Sequence, residues 1–260
     1  MGETELSVVI PTYNEEMNIK DTLLDIEHYL DSRNISAEVL IVDDGSKDQT
    51  NRIVKELASR YSHIRLISNT INRGKGAVIR QGMLAATGQY VLFMDADNAT
   101  KIIELDKFLP RIRSGAAIVI GSRRLKDPTV SKKQPWRRKI SGGLYIHLAH
   151  WVLNIPAADY NCGFKLFRSA VVRPIFEKVS RTDWSFDVEI FLMAKKLGLK
   201  IQEVPVNWKH GMNSKVSLFR DGIRSFWALI QIRQDDFSGK YTLPDKPTLR
   251  ATIRETDKIS

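Results

Sequence analysis

The chain has 260 residues, 43% of them hydrophobic, which is enough apolar mass to bury a sizeable core. Lys and Arg number 40 against 30 Asp and Glu, a net charge of +10, so the surface favours anionic partners: nucleic acid, lipid headgroups or phosphorylated substrates. The single cysteine, Cys162, excludes an intramolecular disulfide and a cysteine-built metal site, and it fits a reducing, cytoplasmic compartment.

In chain order, Met1 to Ser7 lack the basic and apolar regions of a signal peptide, and no stretch nears the roughly 18 apolar residues that a membrane span needs. Short runs rich in Val and Ile predict strands over Leu6–Ile10, Glu38–Val42, Ile64–Ser68, Tyr90–Met94 and Ala117–Ile120, each ended by a Pro, Gly, Asn or Asp cluster. Between them, segments of helical period predict helices over Glu15–Ser32, Lys47–Tyr61, Lys75–Ala86 and Ile102–Arg113. This alternation predicts an α/β fold: one Rossmann-like domain over residues 1–244, with a mostly parallel central sheet flanked by helices.

From Arg123 to Lys139 the composition turns to Lys, Arg, Pro and Ser, which predicts a mobile loop. Beyond it a helix over Ile140–Leu153, a segment over Asp159–Arg168 with no element assigned, a helix over Asp187–Leu197 and a strand over Ile201–Trp208 are expected. From Leu218 to Arg233, apolar residues including Ile223, Phe226, Trp227 and Ile230 recur at helical spacing beside Arg220, Arg224 and Arg233. That pattern suits a helix resting on a membrane surface, and equally an amphipathic helix packed on the core. Residues 245–260 are polar and charged and are expected to be disordered.

Ligands of open parallel sheets bind beyond the carboxyl ends of the strands, and the polar clusters fall there. The first strand ends in Pro11-Thr12-Tyr13-Asn14-Glu15, the second in Asp43-Asp44-Gly45-Ser46, and the fourth in Asp95-Ala96-Asp97-Asn98. Ser46 and Asp48 suit helix capping as well as binding. Asp95 and Asp97 are different, because two carboxylates one residue apart repel each other unless a cation offsets them. Oxygen ligands favour Mg²⁺ or Mn²⁺, and such an ion would bridge the phosphates of a nucleoside diphosphate. Asn72-Arg73-Gly74-Lys75-Gly76 precedes a helix and can bring backbone N–H groups and two cations to a phosphate, or be a solvated turn. It lacks the P-loop spacing, and no G-x-G-x-x-G follows a strand, which weakens kinase-like and NAD-dependent alternatives.

The strings VIPTYNEE, VDDGSKDQT, NRGKGAVIRQG, DADNATK, CGFKLF and WSFDVE, in this order, resemble family 2 glycosyltransferases with the glycosyltransferase A-type fold, and the likeness runs from Ser7 to Lys215. Within that family they look most like the dolichyl-phosphate β-glucosyltransferases, and several are shared with the dolichyl-phosphate mannose synthases. The resemblance implies that Pro11, Tyr13, Glu15, Asp43, Asp44, Lys75 and Asp95 line the nucleotide-sugar pocket and that Asp95 and Asp97 hold the metal. Arg123, Arg137, Ser141, Lys165 and Lys209 would serve the acceptor phosphate, and Asp187 and Glu189 the pocket wall. Asp97, Arg123 and Lys215 would be catalytic, Lys215 closing over the diphosphate. Mannose synthases carry a glutamine two residues after the second metal aspartate, where this chain has Ala99, and that departure tilts the resemblance toward glucose transfer.

The implied reaction is an inverting transfer of a sugar, foremost glucose from UDP-glucose, to a polyprenyl phosphate at the cytosolic face of a membrane. A membrane subunit is a conceivable partner, and no nucleic acid is expected. GDP-mannose and UDP-N-acetyl sugars are alternative donors. A non-enzymatic binder of anionic lipid or nucleic acid is a further alternative, but it leaves the acidic strand ends unexplained.

Overall fold

The computed structural model describes residues 4–125, 149–150, 152–155, 157–209 and 218–242, with the side chains of 218–225 outside the description. Strands β1 (Leu6–Thr12), β2 (Ala37–Asp43), β3 (Ile64–Ser68), β4 (Tyr90–Met94), β5 (Ile118–Ser122), β6 (Phe164–Arg168) and β7 (Ile201–Pro205) form one sheet in the order β3-β2-β1-β4-β6-β5-β7. β1 pairs in parallel with β2 on one side and with β4 on the other. The chain therefore leaves β1 in one direction and later returns to its opposite edge. This reversal opens a crevice beyond the carboxyl ends of β1 and β4.

Successive side chains of a strand face opposite sides, so each central strand feeds two cores. Val8 and Ile10 pack with Ile19, Leu23 and Ile26 of α1 (Ile19–Arg33) and Val54 and Leu57 of α2 (Thr50–Ala58). Val9 packs with Val42 and Phe93 and with Val78, Ile79 and Met83 of α3 (Lys75–Ala85) on the other side. These strand residues are wholly buried, which explains their unbroken Val and Ile runs. Each such side chain contributes on the order of 1.5–3 kcal/mol to stability.

The predicted parallel strands are present, and β6 was not foreseen. It runs antiparallel between β4 and β5, within the segment Asp159–Arg168, for which no strand is expected. Its Lys165 and Arg168 mask the strand pattern, yet both are buried. The helix α5 (Ser169–Phe176) that follows was not predicted either, because Pro174 lies inside it. Ile102–Arg113, expected as one helix, is a 3₁₀ helix over Ile102–Lys107 followed by α4 (Leu109–Arg113), with Pro110 in its first turn.

α6 (Phe186–Lys196) falls where a helix was expected. α7 (Leu218–Phe237) is helical, with Ala228, Leu229 and Ile232 buried and Phe226 and Trp227 exposed. Among the described residues no helix is long and apolar enough to cross a membrane. Most of the Arg123–Lys139 stretch and of the predicted Ile140–Leu153 helix, and all of 245–260, lie outside the described residues.

Candidate functional site

At the crevice the loops after β1 and β2 are bound to each other by side chains. Asn14 adopts the left-handed conformation (φ 54°), its N–H donates to Ser46 Oγ at 2.9 Å, and its Oδ1 accepts the Lys47 N–H at 2.9 Å. Asn tolerates this backbone better than other side chains do. Asp48 accepts the Thr50 N–H at 3.0 Å at the start of α2 and the Glu16 N–H at 3.1 Å from the facing loop. Ser46 and Asp48 thus tie the two loops together, and of the two it is Asp48 that reaches the start of α2. Pro11 lies in β1 beyond the part paired with β4, where a missing N–H carries no penalty on that side. Tyr13 is 40% exposed at the rim, and the Glu15 N–H donates to Thr50 Oγ1 at 2.8 Å.

Asp43 and Asp44 sit inside this framework. Asp43 is wholly buried, and its carboxylate accepts the N–H groups of Gly45 (3.1 Å) and Ser46 (3.0 Å) and the amide of Asn51 (2.9 Å). Asp44 accepts the N–H groups of Arg73 at 2.6 Å and Gly74 at 3.0 Å, fixing the Asn72–Gly76 loop against the end of β2. Gly74 has φ +92°, and a Cβ on it would stand 2.5 Å from the Thr182 carbonyl oxygen, so the loop needs glycine there on both counts.

Lys75, freed by that turn, reaches Asp95 Oδ1 at 2.6 Å and lies 4.4 Å from the ring centre of Trp184, which is 55% exposed. Asp97 presents its side chain to solvent on a floor crowded by protein. Burial, and then the charge of Asp95, raise its pKa above the usual carboxylate range. Its Oδ1 accepts the Ala99 N–H at 3.0 Å, while the Ala99 carbonyl accepts the Lys209 N–H at 2.8 Å. That bond places exposed Lys209 beside the acidic loop.

Asp95 rests on the Cys162–Gly163 turn. Its N–H donates to the Gly163 carbonyl at 3.1 Å, and a Cβ on Gly163 would lie 1.8 Å from Asp95 Oδ2. Lys165 holds the turn from beneath, donating to the Cys162 carbonyl at 2.6 Å and to Asp187 Oδ1 at 2.8 Å. Lys165 is completely buried, so the expected contact with an acceptor phosphate is corrected to that of a positioning cation under Asp95. Burial raises the Asp187 pKa, with Lys165 opposing. Glu189, also expected at the pocket wall, is wholly buried and accepts from Ser180 N–H (2.9 Å), Arg181 N–H (2.8 Å) and Tyr241 Oη (2.6 Å). It fixes the 180–181 segment and has no surface toward the crevice. Burial pushes the Cys162 thiol up to about 12, consistent with a packing residue that is no nucleophile.

Arg123 leaves β5 and forms a fork with Asp159, Nε to Oδ2 at 2.7 Å and Nη2 to Oδ1 at 2.8 Å. Burial works against ionising Asp159, but the bonds and charge of Arg123 hold it below the usual range. Arg137, Ser141 and Lys215 lie outside the described residues. Sequence reasoning missed three features: the Asp159 partner of Arg123, the dependence of Asp95 on Gly163, and Trp184 as the platform for Lys75. The signals were present in the Cys-Gly-Phe turn and in a Trp shortly before Asp187 and Glu189, but only the fold reveals what they touch.

A divalent cation fits the floor of the crevice. Asp95 and Asp97 offer hard oxygen ligands whose mutual repulsion a cation would relieve, and Gly163 leaves the space beside Asp95 Oδ2 that a side chain would fill. Among the described residues no group of three His, Cys, Asp or Glu could enclose an ion. The two carboxylates therefore suit Mg²⁺ or Mn²⁺, which take one or two carboxylates and complete their shells with water or substrate phosphates.

The sequence profile of the family described as Glycosyl transferase family 2 matches residues 7–176. Among curated proteins, the dolichyl-phosphate beta-glucosyltransferase ALG5A of Trichomonas vaginalis is 38% identical over 224 residues, covering 82% of this chain and 68% of that protein. The dolichyl-phosphate beta-glucosyltransferase of Saccharomyces cerevisiae is 36% identical (92% and 77% covered), and that of Homo sapiens is 32% identical (89% and 73% covered). Among solved structures, glucosyl-3-phosphoglycerate synthase of Mycobacterium tuberculosis in complex with UDP superposes with a TM-score of 0.63 at 19% identity, covering 93% of this chain and 82% of that one. The same enzyme was crystallised with Mn²⁺, UDP and glucosyl-3-phosphoglycerate, and that complex superposes at 0.61 with 19% identity (88% and 80% covered). At these identities the structures establish the shared glycosyltransferase A-type fold.

Proposed function

The chain belongs to glycosyl transferase family 2, and from that premise we propose that it transfers glucose from UDP-glucose to dolichyl phosphate or a related polyprenyl phosphate, with inversion at the anomeric carbon. The observation that carries this proposal is the Asp95–Asp97 pair at the switch point of the sheet, walled by Asp44, the Asn72–Gly76 loop and Lys75. A divalent ion held by Asp95 and Asp97 would neutralise charge on the leaving nucleoside diphosphate.

This chain's own residues then position two anions against each other. The acceptor oxygen attacks the anomeric carbon as the bond from that carbon to the nucleotide phosphate breaks. A phosphomonoester, with a second pKa of about 6, is already mostly deprotonated at neutral pH, so no carboxylate is needed as a general base. Glu189 and Asp187 are buried and bonded elsewhere, which agrees with a mechanism that needs neither at the reacting atoms. Lys75 lies at the acidic floor and Lys209 is tethered beside it through its backbone N–H, and both would supply positive charge toward phosphate oxygens. Arg123, stiffened by Asp159, has the place at the end of β5 from which to meet the acceptor phosphate. Trp184 holds Lys75 in position through its ring face.

We assign residues 1–244 to one catalytic domain, with Leu229, Ile232 and Tyr241 in its core, and place Arg137, Ser141 and Lys215 on the acceptor and diphosphate sides from family resemblance. The exposed pair Phe226 and Trp227 supports placing the chain peripherally on a membrane, where a lipid-linked acceptor resides. The test is transfer from labelled UDP-glucose, GDP-mannose and UDP-N-acetylglucosamine to a short polyprenyl phosphate in detergent, with Mg²⁺ or Mn²⁺ and then with chelator. Chelator-sensitive transfer from UDP-glucose alone is expected. Preference for another donor would discard the sugar assignment, and no transfer from any donor would overturn the acceptor assignment.

A further inference from the structure

Behind α3, away from the Asp95–Asp97 floor, a groove of about 770 Å³ opens between the outer face of that helix and residues 177–182, within the size range of ligand sites. Arg73, Arg80, Lys178, Arg181 and Lys240 line it, against the single carboxylate of Glu177. Part of this charge already has a role. Arg80 Nε donates to the Phe176 carbonyl at 2.8 Å, and Lys240 pairs with Asp235 at 2.7 Å.

Arg181 is the telling member. Its Nη2 donates to Gln231 Oε1 of α7 at 2.8 Å, while its buried Nε has no acceptor among the described residues. A buried cationic N–H without an acceptor is unfavourable until an anion supplies one. Gln231 lies one helical turn after Trp227, on the same face of α7. Trp227 is 60% exposed and stands edge-on to Phe226, with ring centres 6.1 Å apart. An exposed aromatic pair one turn from a basic groove is the combination that seats a protein at a bilayer: rings at headgroup level and cations on the phosphates.

We propose that this groove binds the phosphate headgroup of an anionic membrane lipid and so orients the chain on the bilayer. The inference rests on the proposal that the acceptor is lipid-linked, because only then does docking on a bilayer serve the reaction. The exposed aromatics favour a lipid over a free phosphate anion as the source of the headgroup chemistry.

The test is sedimentation of the full chain with vesicles of phosphatidylcholine alone or mixed with phosphatidylserine, for the native protein, Lys178→Gln, Lys178→Gln/Arg181→Gln and Trp227→Ser. Calorimetric titration with pyrophosphate and transfer in detergent are measured alongside. The expected result is retention by anionic vesicles only, weakened roughly fivefold per cation removed, so about 25-fold in the double variant. Trp227→Ser also weakens retention, and detergent transfer is unchanged in the charge variants. Lys178→Gln alone keeps the test decisive if the double variant fails to fold. Equal retention by neutral vesicles, or retention indifferent to the charge changes, overturns the proposal. Pyrophosphate binding that the charge changes abolish, without vesicle retention, reassigns the groove to a soluble phosphate anion. Absence of detergent transfer by the native protein would instead defeat the sugar-transfer proposal.

Discussion

Replacing Lys165 by Met separates a positioning role from contact with substrate. The ammonium has no exposed surface, and its partner Asp187 is almost as deeply buried, 2.8 Å away. Lys165→Met keeps the length of the side chain but leaves Asp187 without its cation and the Cys162 carbonyl without its donor. Breaking a buried pair by removing one partner costs about 3–5 kcal/mol. Native domains have about 5–15 kcal/mol in total, so the variant should fold with a much reduced margin. Lys165→Met/Asp187→Leu removes the stranded carboxylate and should recover most of the loss, leaving about 1–3 kcal/mol for the unsatisfied carbonyl. Urea unfolding at matched slopes measures all three proteins.

Acidity provides a second check. Burial raises the Asp187 pKa in the folded protein above the ordinary 3.8, so between those two values the folded state binds more protons than the unfolded state. Stability contributed by this group therefore falls as pH rises through that window. Without Lys165 to oppose burial, the effect should be larger in the single variant, which gains on the native protein as pH is lowered toward 3.8. A single-variant loss below about 1 kcal/mol, or no recovery in the double variant, would refute a structural pair. A raised KM for the acceptor with unchanged stability would restore Lys165 to the phosphate.

Gly163→Ala places a Cβ 1.8 Å from Asp95 Oδ2 and must displace that carboxylate, so Mn²⁺ affinity measured by calorimetry should fall at least about tenfold, a loss of about 1.4 kcal/mol. Lys75→Met removes the cation 2.6 Å from Asp95 Oδ1, so Mn²⁺ should bind more tightly in the absence of nucleotide, whereas weaker binding would contradict the competition. Arg123→Met removes the fork on Asp159 and strands its buried carboxylate, so it should cost about 3 kcal/mol near neutral pH. Because the Asp159 pKa is depressed, the stability it contributes is present above 3.8 and lost as pH falls through its folded value, so the two unfolding curves should converge in acid.

Much of the fold was legible because Val and Ile runs of strand length have few other uses, and the positions of Leu6–Ile10, Glu38–Val42 and Tyr90–Met94 followed directly from them. β6 was hidden because Lys165 and Arg168 carry their charges into the interior, where Lys165 meets Asp187 and Arg168 Nε donates to the Ala116 carbonyl at 3.0 Å. Pairings of that kind are separated in sequence and leave no local periodicity. The acidic floor was legible for the opposite reason, since Asp95 and Asp97 are separated by a single residue and share the end of one strand. The expected roles of Lys165 and Glu189 came from resemblance alone, and burial reassigns both to support. Their partners, Asp187 and Tyr241, lie 22 and 52 residues away.

The most direct test compares the native chain with Asp97→Asn for Mn²⁺-dependent transfer from UDP-glucose to a short polyprenyl phosphate, with the anomeric configuration of the product read by NMR. A β-linked product from the native chain, and at least about a thousandfold less from a folded Asp97→Asn, is the expected result. Near-native turnover by that variant, or an α-linked product, would contradict the assignment of Asp95 and Asp97 as the centre of an inverting sugar transfer.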